Sequence, residues 1–163
     1  DIGVTGVQTC ALPIYKMSIE QKGKRETSMD KMNVRDFMTK ELVVFTPETD
    51  IYTAIDELVK SEISGAPIVD GDGRLVGIIS QKDCLRTLAN GAFHDAPAGP
   101  VSEYMTEAVM SIGPDMDIFT VADLFLNNVY RRIPVVEDDV VIGQISRRDI
   151  LRAIQHMIGS AKA

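Results

Sequence analysis

Arg131-Arg132-Ile133-Pro134-Val135-Val136, with its sequel Ile142-Gly143-Gln144-Ile145-Ser146-Arg147-Arg148-Asp149, is the stretch that decides the fold. The chain has 163 residues and a net charge of −7, yet four arginines fall here at two short junctions. Two precede an apolar, β-branched run that predicts a strand. The other two follow a second such run, where a helix should begin. Arginine at a helix N-terminus faces the positive end of the macrodipole, which is locally unfavourable. Ser146 suits the N-cap there, and Asp149 stands three residues on, close to the unpaired N–H groups. An anion docked between the two junctions would sustain the charge cluster, using arginine forks and helix N–H groups together. The plainer alternative is a solvated basic edge balanced by Glu137, Asp138 and Asp139.

The stretch occurs twice. Ala66-Pro67-Ile68-Val69 parallels Ile133-Pro134-Val135-Val136. Gly77-Ile78-Ile79-Ser80-Gln81-Lys82-Asp83-Cys84-Leu85-Arg86 parallels Gly143-Gln144-Ile145-Ser146-Arg147-Arg148-Asp149-Ile150-Leu151-Arg152. Upstream, Met38-Thr39 matches Met105-Thr106, Pro47 matches Pro114, and Asp50-Ile51 matches Asp117-Ile118. The register is constant apart from one residue missing in the second copy's turn, which makes this an internal repeat.

Each copy reads strand, helix, strand, strand, helix. Residues 42–45 predict a strand closed at Thr46-Pro47. Asp50 caps a helix carrying Ile51, Ala54, Ile55, Leu58 and Val59 on one face, broken at Ser64-Gly65. Residues 66–69 and 75–79 form a hairpin around Asp70-Gly71-Asp72-Gly73. A helix through Cys84, Leu85 and Leu88 follows, with Cys84 as a small buried apolar side chain. The second copy repeats the order, with a strand at 109–112 and a helix that turns Ile118, Val121, Ala122, Leu124 and Phe125 inward. A hairpin at 133–136 and 140–145 comes next, then a helix through Ile150, Leu151, Ile154 and Met157.

Composition narrows the function. At 45% hydrophobic and 25% charged residues, the chain is an ordinary globular sequence. No apolar run approaches the roughly 20 residues of a membrane-spanning helix. The acidity argues against nucleic acid, which wants a broad basic surface. His94 and His156 belong to no metal-spaced or triad-like set, so neither a metal site nor catalysis is expected. Residues 1–14 have no secretory pattern. From Val4 onward they resemble the translation of a short-read sequencing adapter, which leaves Met17, Met29 and Met32 as candidate starts.

The repeat, with Pro-Ile-Val and Pro-Val-Val each followed by Gly-x-x-Ser-x-x-Asp, resembles a pair of cystathionine-β-synthase (CBS) domains, the Bateman module. The resemblance covers residues 34–157 and implies an α+β fold of tandem units packed as a pseudo-two-fold pair. It divides the chain into a non-native or disordered segment at 1–31, one domain at 32–91 and a linker at 92–100. A second domain at 101–158 and a tail at 159–163 complete it. It implies a regulatory, non-catalytic, cytoplasmic homodimer that binds adenine nucleotides in clefts between the repeats, without another cofactor, nucleic acid or membrane. Asp83 and Asp149 are then expected at ribose hydroxyls, with Ser80 and Ser146 near phosphate. Adenine would lie against Ile63, Ser64 and Ala66 in one copy, and against Tyr130, Arg131, Ile133 and Pro134 in the other. Arg131, Arg132, Arg147 and Arg148 suit phosphate better than the first copy's Lys82, because a lysine is a point charge without the arginine fork. Thr46 and Thr106 complete the expected contacts. Two alternatives stay open: a structural dimerisation module with vestigial clefts, or a regulatory fragment of a larger enzyme or transporter.

Overall fold

The computed structural model describes residues 32–90 and 99–160. The expected N-terminal segment, linker residues 92–98 with His94, tail residues 161–163 and the Leu88 side chain lie outside the described residues. In chain order the elements are α1 (Val34–Phe37), α2 (Ile51–Lys60), β1 (Gly65–Val69), β2 (Leu75–Ser80) and α3 (Gln81–Asn90). A 3-10 turn (Val101–Glu103), α4 (Ile118–Asn127), β3 (Arg132–Glu137), β4 (Val140–Ser146) and α5 (Arg147–Ser160) follow. β1 pairs antiparallel with β2 and β3 with β4, so the α+β unit occurs twice.

Local chemistry accounts for most boundaries. Asp50 and Asp117 cap α2 and α4, each accepting from two backbone N–H groups of the first turn. In the first hairpin, Asp70 Oδ1 accepts from the N–H groups of Asp72 and Arg74, both at 2.9 Å, and Gly73 takes φ +80°. The second hairpin, one residue shorter, turns on Asp138 and Asp139 at φ 50° and 68°, the positive angles a two-residue hairpin turn demands.

Two expected boundaries need correction. α2 ends at Lys60, before Ser64-Gly65, because Glu62 adopts φ 52°. Glu62 donates its N–H to the Val59 carbonyl and Ile63 to that of Leu58, the paired bonds of a Schellman cap with glutamate in the usual glycine place. The predicted strands at 42–45 and 109–112 form no continuous strand and meet their own hairpins at parallel bridges, Phe45 with Ile68 and Ile112 with Val135. Proline is the reason. Extending the first ladder needs an N–H from Pro67 on one side and Pro47 on the other, and neither has one. Pro134 and Pro114 impose the same limit on the second copy.

The two copies exchange their lead-in segments. Val34 donates to the Met116 carbonyl at 2.9 Å, Arg35 to Pro114 at 2.9 Å, and Ile118 to Met32 at 3.0 Å. The reciprocal bonds run from Val101 to Thr49 at 2.7 Å, Ser102 to Pro47 at 3.1 Å, and Ile51 to Gly99 at 3.0 Å. Thr39 and Gln144 exchange both backbone bonds, as do Thr106 and Ile78. Side chains follow the backbone. Val34 and Met38 are buried among Ile112, Ile118, Val121 and Ile145, whereas Val101 is buried among Phe45, Ile51, Leu58 and Ile79. Gly77 and Gly143 make room: a Cβ on either would fall 2.5 Å or 2.6 Å from the sulfur of Met105 or Met38.

Ile51, Ala54 and Leu58 of α2 and Ile118, Val121 and Phe125 of α4 are buried as the stripes require. Val59, Leu85 and Leu151 are not; they stand 68%, 65% and 66% exposed at stripe edges, too far round the helix to reach the core. Cys84 is buried, and burial, with Asp83 beside it, pushes its thiol up. Arg35 clips the exchange from outside, its fork meeting Glu137 at 2.5 Å and 3.4 Å, with Asp115 at 3.5 Å. That hydrogen-bonded pairing raises the guanidinium and holds the Glu137 carboxyl below the usual range.

If the exchange holds the copies together, Val34→Ala and Val101→Ala should each cost about 2 kcal/mol in urea denaturation, from two lost methyl groups and the cavity left. Val129→Ala, at 93% exposure, should stay within about 0.5 kcal/mol of the parent. Because the folded Glu137 carboxyl lies below its ordinary 4.5, its stabilisation is present above that value and is lost as pH falls through the folded one. Stability–pH curves of wild type and Glu137→Gln should therefore differ near neutrality and converge in acid; a constant offset would contradict the pairing.

Candidate ligand-binding cleft

Each strand-to-helix junction closes on itself in the same way. Ser146 donates to Asp149 Oδ2 from its backbone N–H at 2.7 Å and from Oγ at 2.6 Å. Ser80 does the same to Asp83 Oδ2, and the Asp83 N–H returns to Ser80 Oγ at 3.2 Å. This is a capping box with aspartate in the third helical position. Both carboxylates are buried, and each is met at its second oxygen by an arginine one turn on. Arg152 Nη2 contacts Asp149 Oδ1, while Arg86 Nη1 stays 3.6 Å from Asp83 Oδ1.

The second-copy junction opens on a cleft of about 480 Å³. One wall is Arg132 from β3, Gln144 and Ser146 from β4, and Arg148, Asp149 and Arg152 from α5. The other is first-copy chain: Thr39, the run Glu41, Leu42 and Val43, then Ser61, Ile63 and Gly65. Residues 39–45 cross from the Gln144 bridge on one sheet to the Ile68 bridge on the other, so this wall is the joint between the copies. Gly65 sits where a Cβ would fall 2.8 Å from the Ile79 carbonyl oxygen. Among the described residues, no carboxylate lies within ion-pair distance of Arg132 or Arg148. The cleft thus offers two uncommitted guanidinium forks, a helix N-terminus and a buried carboxylate.

Of the residues singled out in the sequence, Arg132, Ser146, Arg148, Asp149 and Ile63 come together here. Arg131 and Arg147 are exposed beside the cleft without lining it. Tyr130 packs on the second core, and Ile133, Pro134 and Ala66 are buried in strands. Thr46 bonds Thr49 instead, through its N–H at 3.1 Å. Ser64, Ser80, Lys82, Asp83 and Thr106 line no part of this cleft. The repeat relates Ser80, Lys82, Asp83 and Thr106 to Ser146, Arg148, Asp149 and Thr39, which do line it. The sequence reading reached the first-copy wall at Ile63 but missed Thr39, residues 41–43 and Ser61, along with Gln144 and Arg152. The recurrence of Met-Thr and of a glycine within a strand is the signal that pointed to it, because strand glycines mark close backbone approach.

No group of three or more His, Cys, Asp or Glu side chains able to hold a metal occurs among the described residues. Within the same residues, no helix is long and apolar enough to cross a membrane. His156 makes an edge contact with Phe37, ring centroids 6.0 Å apart.

The chain is 30% identical over 125 residues to the A-adding tRNA nucleotidyltransferase of Aquifex aeolicus, matching 77% of this chain but spanning only 15% of that protein. Among solved structures it resembles CBSX2 of Arabidopsis thaliana, whose complex with AMP matches at TM-score 0.69 and 27% identity, covering 77% of this chain and 97% of that one. It also resembles the CBS domain pair of MJ0100 in complex with 5'-methylthioadenosine and S-adenosyl-L-methionine, at TM-score 0.66 and 29% identity, covering 77% and 98%. The family model for the CBS domain matches residues 34–90 and again 101–156. With both copies of the repeat matched, the chain belongs to the CBS domain family.

Proposed function

We propose that this CBS pair is a regulatory module that binds an adenine nucleotide in the cleft and signals by changing how the two copies, or two chains, pack. One observation carries the reading: Arg132 and Arg148 share a cleft, without carboxylate partners among the described residues, in a chain of net charge −7. Guanidinium forks gathered at a helix N-terminus suit phosphate. The complexes of CBSX2 with AMP and of MJ0100 with two adenosine-containing molecules support an adenosine moiety. Asp149, acceptor-only when ionised, would take a ribose hydroxyl. Residues 39–43 then make the ligand a third party to the joint between copies, and a ligand shifts packing only through unequal affinity for two arrangements.

One observation favours the structural alternative. The Asp149 carboxylate already has partners in Ser146 and Arg152, so it needs no ligand to be satisfied. Homodimerisation fits either reading. Tyr52 and Val59 of α2 and Phe119 and Leu126 of α4 are exposed at matching repeat positions, leaving paired apolar faces for a second copy under two-fold symmetry.

Calorimetric titration with AMP, ADP, ATP and S-adenosylmethionine tests the ligand. Arg132→Ala or Arg148→Ala should weaken AMP binding about tenfold or more, the loss of a charge-assisted hydrogen bond. Lys82→Ala should matter less, Asp149→Ala should weaken AMP and adenosine together, and Arg132→Ala should spare adenosine. Absence of binding by the wild type at millimolar nucleotide contradicts the reading and leaves the structural alternative. Light scattering should report a dimer at micromolar protein; a monomer with and without AMP rules out the assembly.

A further inference from the structure

A carboxylate offers about four lone-pair positions. At Asp149, Ser146 fills two on Oδ2 and Arg152 Nη2 occupies one on Oδ1. Asp149 is only 4% exposed, so a sugar reaches it from the cleft that Arg152 also lines. A ribose cis-diol brings two donors to the one position left. With Ser146 kept as the helix cap, the second hydroxyl is accepted only if Arg152 gives way. Its side chain is 57% exposed and long enough to swing. Swinging, however, sets a third guanidinium free in a cleft that already holds Arg132 and Arg148, with Glu41 the only other carboxylate among the lining residues. Three cations facing two carboxylates leave an excess of positive charge at short range, which an anion among them relieves.

The geometry points to Arg152 as a specificity-determining residue that competes with the ribose for Asp149 and yields only to a ligand carrying its own phosphate. This rests on the nucleotide reading of the cleft and goes past it. Diol and phosphate recognition become coupled, so a neutral nucleoside pays for displacing Arg152 without giving it a new partner. The first-copy junction carries the same arginine, with Arg86 3.6 Å from Asp83, so its pairing is looser.

The test is calorimetry of adenosine and of AMP with the full chain, as wild type, Arg152→Gln and Arg152→Lys. In Arg152→Gln, adenosine should bind more tightly and AMP less tightly, so that preference for AMP falls about tenfold, the scale of one charge-assisted hydrogen bond. Inorganic phosphate should tighten adenosine binding to the wild type and leave Arg152→Gln unaffected. Arg152→Lys, which keeps the charge but loses the fork, should fall between the two, and it carries the test if thermal melting shows Arg152→Gln to be unfolded. Equal weakening of both ligands in either variant, or an unchanged preference in Arg152→Gln, overturns the role of Arg152 while leaving the nucleotide reading intact. A wild type that binds neither ligand overturns both.

Discussion

The reciprocal exchange of lead-in segments is the constraint on which the rest of the structure depends. Each copy alone is a two-stranded hairpin with helices, and an isolated two-stranded sheet is marginal. Proline at 47, 67, 114 and 134 stops either copy from gaining a third full strand internally. The additional backbone pairing comes from the other copy, at Thr39 with Gln144 and Thr106 with Ile78. Val34 and Val101, both fully buried, fill cores to which their own hairpins do not belong. The two CBS units are thus one folding problem with two solutions that require each other.

That exchange also makes the cleft. The chain that leaves the Gln144 bridge must cross to the first sheet before it reaches Phe45, and on its way it walls the space above Arg132, Arg148 and Asp149. A molecule bound there touches both copies by construction. The proposed sensitivity of packing to a small ligand would therefore need no long relay, because the cleft wall at residues 39–43 and the connection between copies are the same residues.

Much of this was legible in the sequence because it is local. Aspartate caps at 50 and 117, the two hairpin turns, and the Ser-x-x-Asp junctions are chemistry within a few residues, and the structure has each of them. Half of the cleft was legible for the same reason, since Arg132, Ser146, Arg148 and Asp149 belong to one motif. Of the other half only Ile63 was named; residues 39–43 lie some hundred residues from Gln144 and Arg152 in sequence, and nothing local says that a short extended run will pair with a foreign strand. Exposure of Val59, Leu85 and Leu151 escaped notice because helical periodicity gives the direction of a face but not the width of what covers it. Glu62 in a left-handed cap had no sequence sign, since glycine usually marks that place.

The most direct measurement is a crystal structure of the protein grown with AMP. The account predicts the phosphate between Arg132 and Arg148, the ribose at Asp149, and the nucleotide in contact with residues 39–43 of the first copy. AMP bound on another surface, or a cleft that stays without nucleotide at saturating concentration, would contradict it.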